Sequence, residues 1–229
     1  MYKTITKKLS QTPQVKICGL TRVDEAIICA ELGLDAIGLV FYEKSLRNVT
    51  LEQARKISLS LPENISTVGV FVNEPLEYIM ERAEKCGLNA VQLHGREGPD
   101  LVNQLIEQGL VVIKCLYLDS EPFLKDVSAY NATGYLVECA KGILPGGNAL
   151  SWDWARAKDF GIMHPFILAG GLNPENISRA IDASLPDAVD ISSGVEKAPG
   201  RKDMTKIKAV IKAVSKSSIE KKNNLRRIF

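Results

Sequence analysis

Short apolar runs alternate with amphipathic stretches about eight times along the chain. The apolar runs are Val15–Cys18, Ala36–Phe41, Thr67–Val72, Ala90–Leu93, Val111–Leu116, Tyr135–Glu138, Phe166–Ala169 and Ala188–Ile191. Continuous apolar runs of this length read as strands buried on both faces. Helical spacing follows each of them, near Val23–Leu32, Leu51–Leu59, Leu76–Lys85, Asp100–Gln108, Glu121–Ser128, Trp152–Asp159, Pro174–Ala183 and Met204–Val214. Pro75 and Pro174 stand near helix starts, where a missing N–H costs nothing. Gly33, Gly87 and Gly109 follow helix ends, where a left-handed cap favours a residue without a β-carbon. Thr21 is placed to cap the first helix. Strict alternation implies a parallel sheet with right-handed crossovers. Eight units in 229 residues predict an α/β fold, a single (β/α)8 TIM barrel. An open doubly wound sheet is the alternative, but the first turn, Cys18-Gly19-Leu20-Thr21, lacks the glycine-rich dinucleotide fingerprint.

Composition sets the boundaries of that picture. The chain divides into an N-terminal extension (1–13), the barrel (14–215) and a basic C-terminal tail (216–229). Net charge is +2, and the tail holds five lysines and arginines against one glutamate, so the body is net negative. No basic face is available for nucleic acid, and the tail reads as a solvated, frayed end. Five cysteines, an odd number without a Cys-x-x-Cys pair, predict reduced thiols and a cytoplasmic location. Two histidines, His94 and His164, are too few for a histidine-rich metal site. Met1–Pro13 lacks the apolar centre of a secretory signal, and no run approaches the ~18 apolar residues of a membrane span.

Candidate chemistry sits where the predicted strands end. Cys18 closes the first strand immediately before a turn, the position at which α/β proteins place reactive groups. Its thiolate would serve as base or nucleophile; the structural alternative is a small buried hydrophobe. Two late loops, Ala169-Gly170-Gly171-Leu172-Asn173 and Asp190-Ile191-Ser192-Ser193-Gly194, are built from small residues. Backbone N–H groups there can approach an anion closely. Loops after strands seven and eight are the usual phosphate site of a barrel. Gly170, Gly171, Asn173, Ser192, Ser193 and Gly194 are therefore the candidate phosphate ligands, and a phosphorylated small molecule is the expected partner.

The chain resembles the phosphoribosylanthranilate isomerase family from about Val15 to Ala213. The resemblance is carried by Lys16-Ile17-Cys18-Gly19-Leu20-Thr21, Gly38-Leu39-Val40-Phe41 with Arg47, Val91-Gln92-Leu93-His94-Gly95, Trp152-Asp153-Trp154, Leu168-Ala169-Gly170-Gly171-Leu172 and Asp190-Ile191-Ser192-Ser193-Gly194-Val195-Glu196. It implies an Amadori rearrangement of N-(5-phosphoribosyl)anthranilate in tryptophan biosynthesis, with no metal or organic cofactor. It further implies Cys18 as general base and Arg47 as the clamp on the anthranilate carboxylate. Asp190 assists at the substrate hydroxyls or the anthranilate end, and His94 lines the pocket. Family members occur as monomers and as homodimers. The family's general acid is an aspartate at the end of the sixth strand, where this chain carries Glu138. The loop Ala140–Pro145 and the residues Asn148-Ala149 also depart from the family's pattern. Two other readings stay open: a different phosphate-binding barrel isomerase or aldolase, and a non-catalytic barrel that has drifted from an isomerase.

Overall fold

The computed structural model describes residues 12–139, 151–217 and 225–229. Eight strands build the barrel: β1 (Gln14–Cys18), β2 (Ala36–Phe41), β3 (Ser66–Phe71), β4 (Ala90–Leu93), β5 (Val111–Tyr117), β6 (Gly134–Glu138), β7 (Phe166–Leu168) and β8 (Ala188–Ile191). They pair in parallel, in chain order, and β8 closes on β1. This is the expected (β/α)8 barrel, with every strand within one or two residues of its predicted bounds. The outer layer is α1 (Val23–Glu31), α2 (Leu51–Ser58), α3 (Leu76–Cys86), α4 (Pro99–Glu107), α5 (Phe160–Met163), α6 (Ile177–Ser184) and α7 (Met204–Lys216). A two-stranded ribbon, β9 (Glu196–Ala198) with β10 (Arg201–Lys202), follows β8. No helix of the described residues is long and apolar enough to cross a membrane.

Two predicted helices take a different form. The β5–β6 connection holds only a 3-10 helix, Leu124–Ala129, with no buried residue. Without an apolar stripe to pack, a short segment has little to offset the cost of helix nucleation. The β6–β7 arm holds a 3-10 turn, Trp154–Ala157, and the four-residue α5. Thr21 does not cap α1. Arg22 occupies the cap position, and its side chain makes no capping bond. The Thr21 hydroxyl instead donates to the Gly200 carbonyl at 2.8 Å, tying the first βα turn to the β9–β10 turn. Gly33, Gly87 and Gly109 do have positive φ, as their positions after helices require.

Apolar side chains form one core between strands and helices and a second inside the barrel. The inner core contains Ala36, Val68, Ile113, Cys115, Leu136 and Ile167, and it also contains Ile228 from the chain's end. The last five residues are thus not a frayed end. Ile228 is buried against Gly134, at the start of β6. The Gln14 side chain accepts from the Ile228 N–H at 2.7 Å and donates to the Phe229 carbonyl at 3.0 Å. The tail closes the barrel at the N-terminal ends of its strands and leaves the C-terminal ends as the open mouth. Most of the N-terminal extension (residues 1–11) and the divergent loop Ala140–Pro145 with Asn148-Ala149 lie outside the described residues.

Candidate active site

Side chains alternate along a strand, so Lys16 and Cys18 share the inner face of β1. The same alternation turns Gln92 of β4, Glu138 of β6 and Asp190 of β8 inward. At the mouth Cys18, Gln92, Glu138 and Asp190 border a cavity of about 760 Å³, including its open solvent. Cys18, Arg47, His94, Glu138, Gly170, Gly171, Asp190, Ser192, Ser193 and Gly194 all line it. Of the residues singled out in the sequence, only Asn173 is not in the wall. Its side-chain oxygen accepts from the N–H groups of Glu175 and Asn176 at 2.9 and 3.1 Å, shaping the turn into α6.

Glu138 is buried at the end of β6, and burial followed by the nearby Asp190 charge pushes its carboxyl up to about 7. A carboxylic acid in such a place keeps its proton near neutrality. His94 Nε2 lies 3.8 Å from the Glu138 carboxylate, and its Nδ1 is 3.0 Å from the Gln92 amide. The turn beside Glu138 is held by the two tryptophans of the preceding arm. Trp152 donates to the Ala169 carbonyl at 3.0 Å and Trp154 to that of Gly170 at 3.3 Å. Gly170 has φ +89°, and a β-carbon there would lie 2.7 Å from the Trp152 indole nitrogen and 3.1 Å from the Glu138 side chain. Glycine is needed at this turn both for its backbone angle and for space.

Cys18 lies opposite Gly38 of β2 in the barrel register, and Lys16 lies opposite Asp190 of β8. Lys16 is fully buried and its ammonium donates to Asp190 at 2.9 Å. Burial pushes the Cys18 thiol up, and the charge of Lys16 is the largest influence in the opposite direction. Lys202, from β10, donates to the Cys18 carbonyl at 2.6 Å and to Glu196 at 2.8 Å. Burial opposes ionisation of Glu196, yet Arg47 and Lys202 together hold its carboxyl below the usual range.

Arg47 reaches the mouth, but not with its whole fork free. Its Nε and Nη2 grip Glu196 at 2.9 and 2.7 Å, a bidentate pair. A two-pronged grip on a substrate carboxylate by the same edge is therefore replaced by a fixed guanidinium with Nη1 outside the pair. Sequence reasoning missed Lys16, Lys202 and Glu196. The signal for Lys16 was available: a lysine two residues before a strand-end cysteine, in an otherwise apolar strand, needs an inward partner.

The late loops form a tight cradle. Gly194 packs so closely that a β-carbon would run into the Leu172 carbonyl, which joins the β8 loop to the β7 loop. The Ser192 hydroxyl donates to the Cys18 carbonyl at 3.1 Å. Among the described residues, His94, Cys115 and Glu138 bring three ligand-type atoms within 4.8 Å of one another. Burial pushes the Cys115 thiol far above its ordinary range and keeps Glu138 neutral to about 7. A metal ion there would have to displace both protons, which the site resists.

Fold and site together define a (β/α)8 barrel with an acid–base cluster and a small-residue cradle at its C-terminal mouth. The family model for N-(5'-phosphoribosyl)anthranilate (PRA) isomerase matches residues 15–213. The N-(5'-phosphoribosyl)anthranilate isomerase of Desulfatibacillum aliphaticivorans is 48% identical over 207 residues, 90% of this chain and 95% of that one. The crystal structure of phosphoribosyl anthranilate isomerase from Thermotoga maritima superposes with TM-score 0.81 at 41% identity, covering 88% of this chain and 98% of that one. A structure of such an isomerase in complex with reduced 1-(o-carboxyphenylamino)-1-deoxyribulose 5-phosphate gives TM-score 0.79 at 40% identity, over the same shares of the two chains. The chain belongs to the N-(5'-phosphoribosyl)anthranilate isomerase family.

Proposed function

We propose that this isomerase of tryptophan biosynthesis converts N-(5-phosphoribosyl)anthranilate to 1-(2-carboxyphenylamino)-1-deoxyribulose 5-phosphate, with Glu138 as general acid and Cys18 as general base. Glu138 gives its proton to the ribose ring oxygen. The bond from that oxygen to C1′ breaks, and the anilino nitrogen supplies the electron pair that makes the Schiff base. The Cys18 thiolate then takes the proton from C2′. The C–H electron pair becomes the C1′–C2′ double bond and neutralises the iminium nitrogen, giving an enolamine. The enolamine tautomerises to the ketone as its hydroxyl loses a proton and C1′ gains one.

The observation that carries this reading is the pairing of a carboxyl held neutral to about 7 with a thiol beside a buried lysine, facing one cavity. An acid must be protonated and a base deprotonated at the same pH; burial keeps the proton on Glu138, and at Cys18 the Lys16 charge works against the burial that raises the thiol. Gly170, Gly171, Ser192, Ser193 and Gly194 supply the phosphate cradle at the other side of the mouth. Arg47 offers Nη1 to the anthranilate carboxylate while Glu196 holds the rest of its guanidinium. Asp190 Oδ1 is buried and has no hydrogen-bond partner among the described residues, which suits it to accept from a substrate hydroxyl. His94 lines the pocket beside Glu138. The reduced thiols and the pathway favour a cytoplasmic location.

Complementation of a tryptophan auxotroph lacking this isomerase step tests the reading. The wild-type chain restores growth, and purified Cys18→Ser loses about 10²–10⁴-fold in kcat, the usual contribution of a general base. Failure to complement, by a chain that is expressed and folded, would remove the activity. Near wild-type turnover by Cys18→Ser would remove the thiol from the mechanism.

A further inference from the structure

A lysine fully enclosed in a barrel is costly unless its charge is used. Lys16 has its register partner Asp190 at 2.9 Å, which accounts for its folding but not for its place two residues before Cys18 on the same face. The strand opposite gives the second clue. Gly38 faces Cys18 across the β1–β2 register. A β-carbon on Gly38 would lie 2.7 Å from the Cys18 sulfur and 3.1 Å from the Lys16 nitrogen. Sulfur and ammonium therefore border the same small space, which any side chain at position 38 would fill.

We propose that Lys16 is the counter-ion of the Cys18 thiolate, a positioning residue aimed by Asp190, and that the bare backbone of Gly38 lets the two groups meet. The proposal rests on Cys18 as the base. A thiol inside an apolar wall of Val40 and Val70 does not ionise by itself. An ammonium at its side favours the charged form, and the proton taken from C2′ then neutralises the thiolate while Lys16 stays paired with Asp190. Charge and hydrogen bonding from Asp190 and Cys18 outweigh burial and hold Lys16 above its ordinary value, so it stays protonated throughout. The groups around the sulfur are Lys16 on β1, Asp190 on β8, Lys202 on β10 and the partly buried Tyr42 after β2. Lys202 already serves the Cys18 carbonyl and Glu196, and Asp190 opposes ionisation. Lys16 is thus the cation assigned to the sulfur.

The test is the pH dependence of iodoacetamide alkylation at Cys18, read by mass spectrometry of the Cys18 peptide and set beside kcat/KM profiles. Lys16→Met should raise the alkylation midpoint by about 1–3 pH units, the usual effect of an adjacent opposite charge. The alkaline limb of kcat/KM should move the same way. Asp190→Asn should lower the midpoint, because it removes the charge that opposes the thiolate. Gly38→Ala, which wedges the pair apart without touching either charge, should raise it. A Lys16 that served only packing would give the reverse in Lys16→Met: a loosened wall exposes the sulfur and drops the midpoint toward the ~8.5 of a free thiol. A midpoint unmoved or lowered in both Lys16→Met and Gly38→Ala overturns the proposal. If Lys16→Met does not fold, Gly38→Ala and Asp190→Asn decide it by their opposite signs. Activity retained in Cys18→Ser, with the midpoint still dependent on Lys16, would instead remove the base assignment and leave the ion pair standing.

Discussion

The two ends of the barrel handle buried charge in opposite ways. At the closed end, Asp187 is fully buried and satisfied several times over. It accepts from the N–H groups of Phe166 and Arg226 and from the Arg226 guanidinium, each at 3.0 Å. Arg226 also donates to the carbonyls of Gly161 and His164 at 2.6 and 2.7 Å. At the open end, Asp190 Oδ1 and Gln92 Oε1 are buried without hydrogen-bond partners among the described residues, and Glu138 is held neutral against its ordinary preference. One end is built to its local energy minimum, and the other keeps groups ready for a ligand. Barrels divide their labour in this way, with stability at the N-terminal face and chemistry at the C-terminal face.

The largest break in that comparison comes from Glu138. Glu138→Gln keeps the shape and removes the proton, so kcat should fall about 10²-fold or more. The same change should stabilise the fold at pH 8. The unfolded chain releases this proton near the ordinary 4.5, whereas the folded chain holds it to about 7. Stability from this group is present below pH 4.5, is lost as pH rises to about 7, and is flat beyond. The loss is on the order of 3 kcal/mol. Melting curves of wild type and Glu138→Gln should converge at pH 4 and separate at pH 8, with the variant higher.

Arg226→Ala tests the closed end. It leaves Asp187 buried with its main cation gone, which typically costs about 3–5 kcal/mol. Because Arg226 is a third exposed, the low end of that range is expected, as a drop in denaturation midpoint. Turnover measured well below the melting temperature should not change, since no part of this cluster reaches the mouth.

Arg47→Ala should have the smallest effect of the three. A charge-assisted hydrogen bond contributes about 1.5–3 kcal/mol, so KM should rise about 10- to 100-fold with kcat little altered. Competition by inorganic phosphate should be unaffected. Weakened phosphate inhibition would place Arg47 at the cradle and reverse the orientation of the ligand in the cavity.

Most of the barrel was legible because each strand is a short, mainly apolar run bounded by turn residues, with few rival readings. The arms after β5 and β6 were not: Leu124–Ala129 buries no residue, and the Trp152–Asp159 stretch, although Trp154 and Ala157 are buried, forms only a short 3-10 turn. In the site, Cys18, Glu138 and Asp190 were visible because they end strands, and the barrel brings all strand ends to one place. Asn173 was picked out by its loop, and its side chain turned out to hold that loop's own backbone. Lys16 was given no role within the first strand, although its distance of two from Cys18 placed both on one face. The tail was read as frayed from its charge alone. Composition cannot show that Ile228 has a buried partner in Gln14, 214 residues away, or that Arg226 pairs with the buried Asp187.

The mouth holds the Glu138 carboxyl neutral, whereas the closed end satisfies its charges. Carbon-13 labelling of glutamate, with Glu138→Gln used to assign the Glu138 carboxyl resonance, measures this directly as that resonance is titrated. A midpoint near 7 is expected in the folded enzyme. A midpoint near the ordinary 4.5, with the fold intact, would mean that Glu138 is ionised at working pH and would contradict its role as the acid.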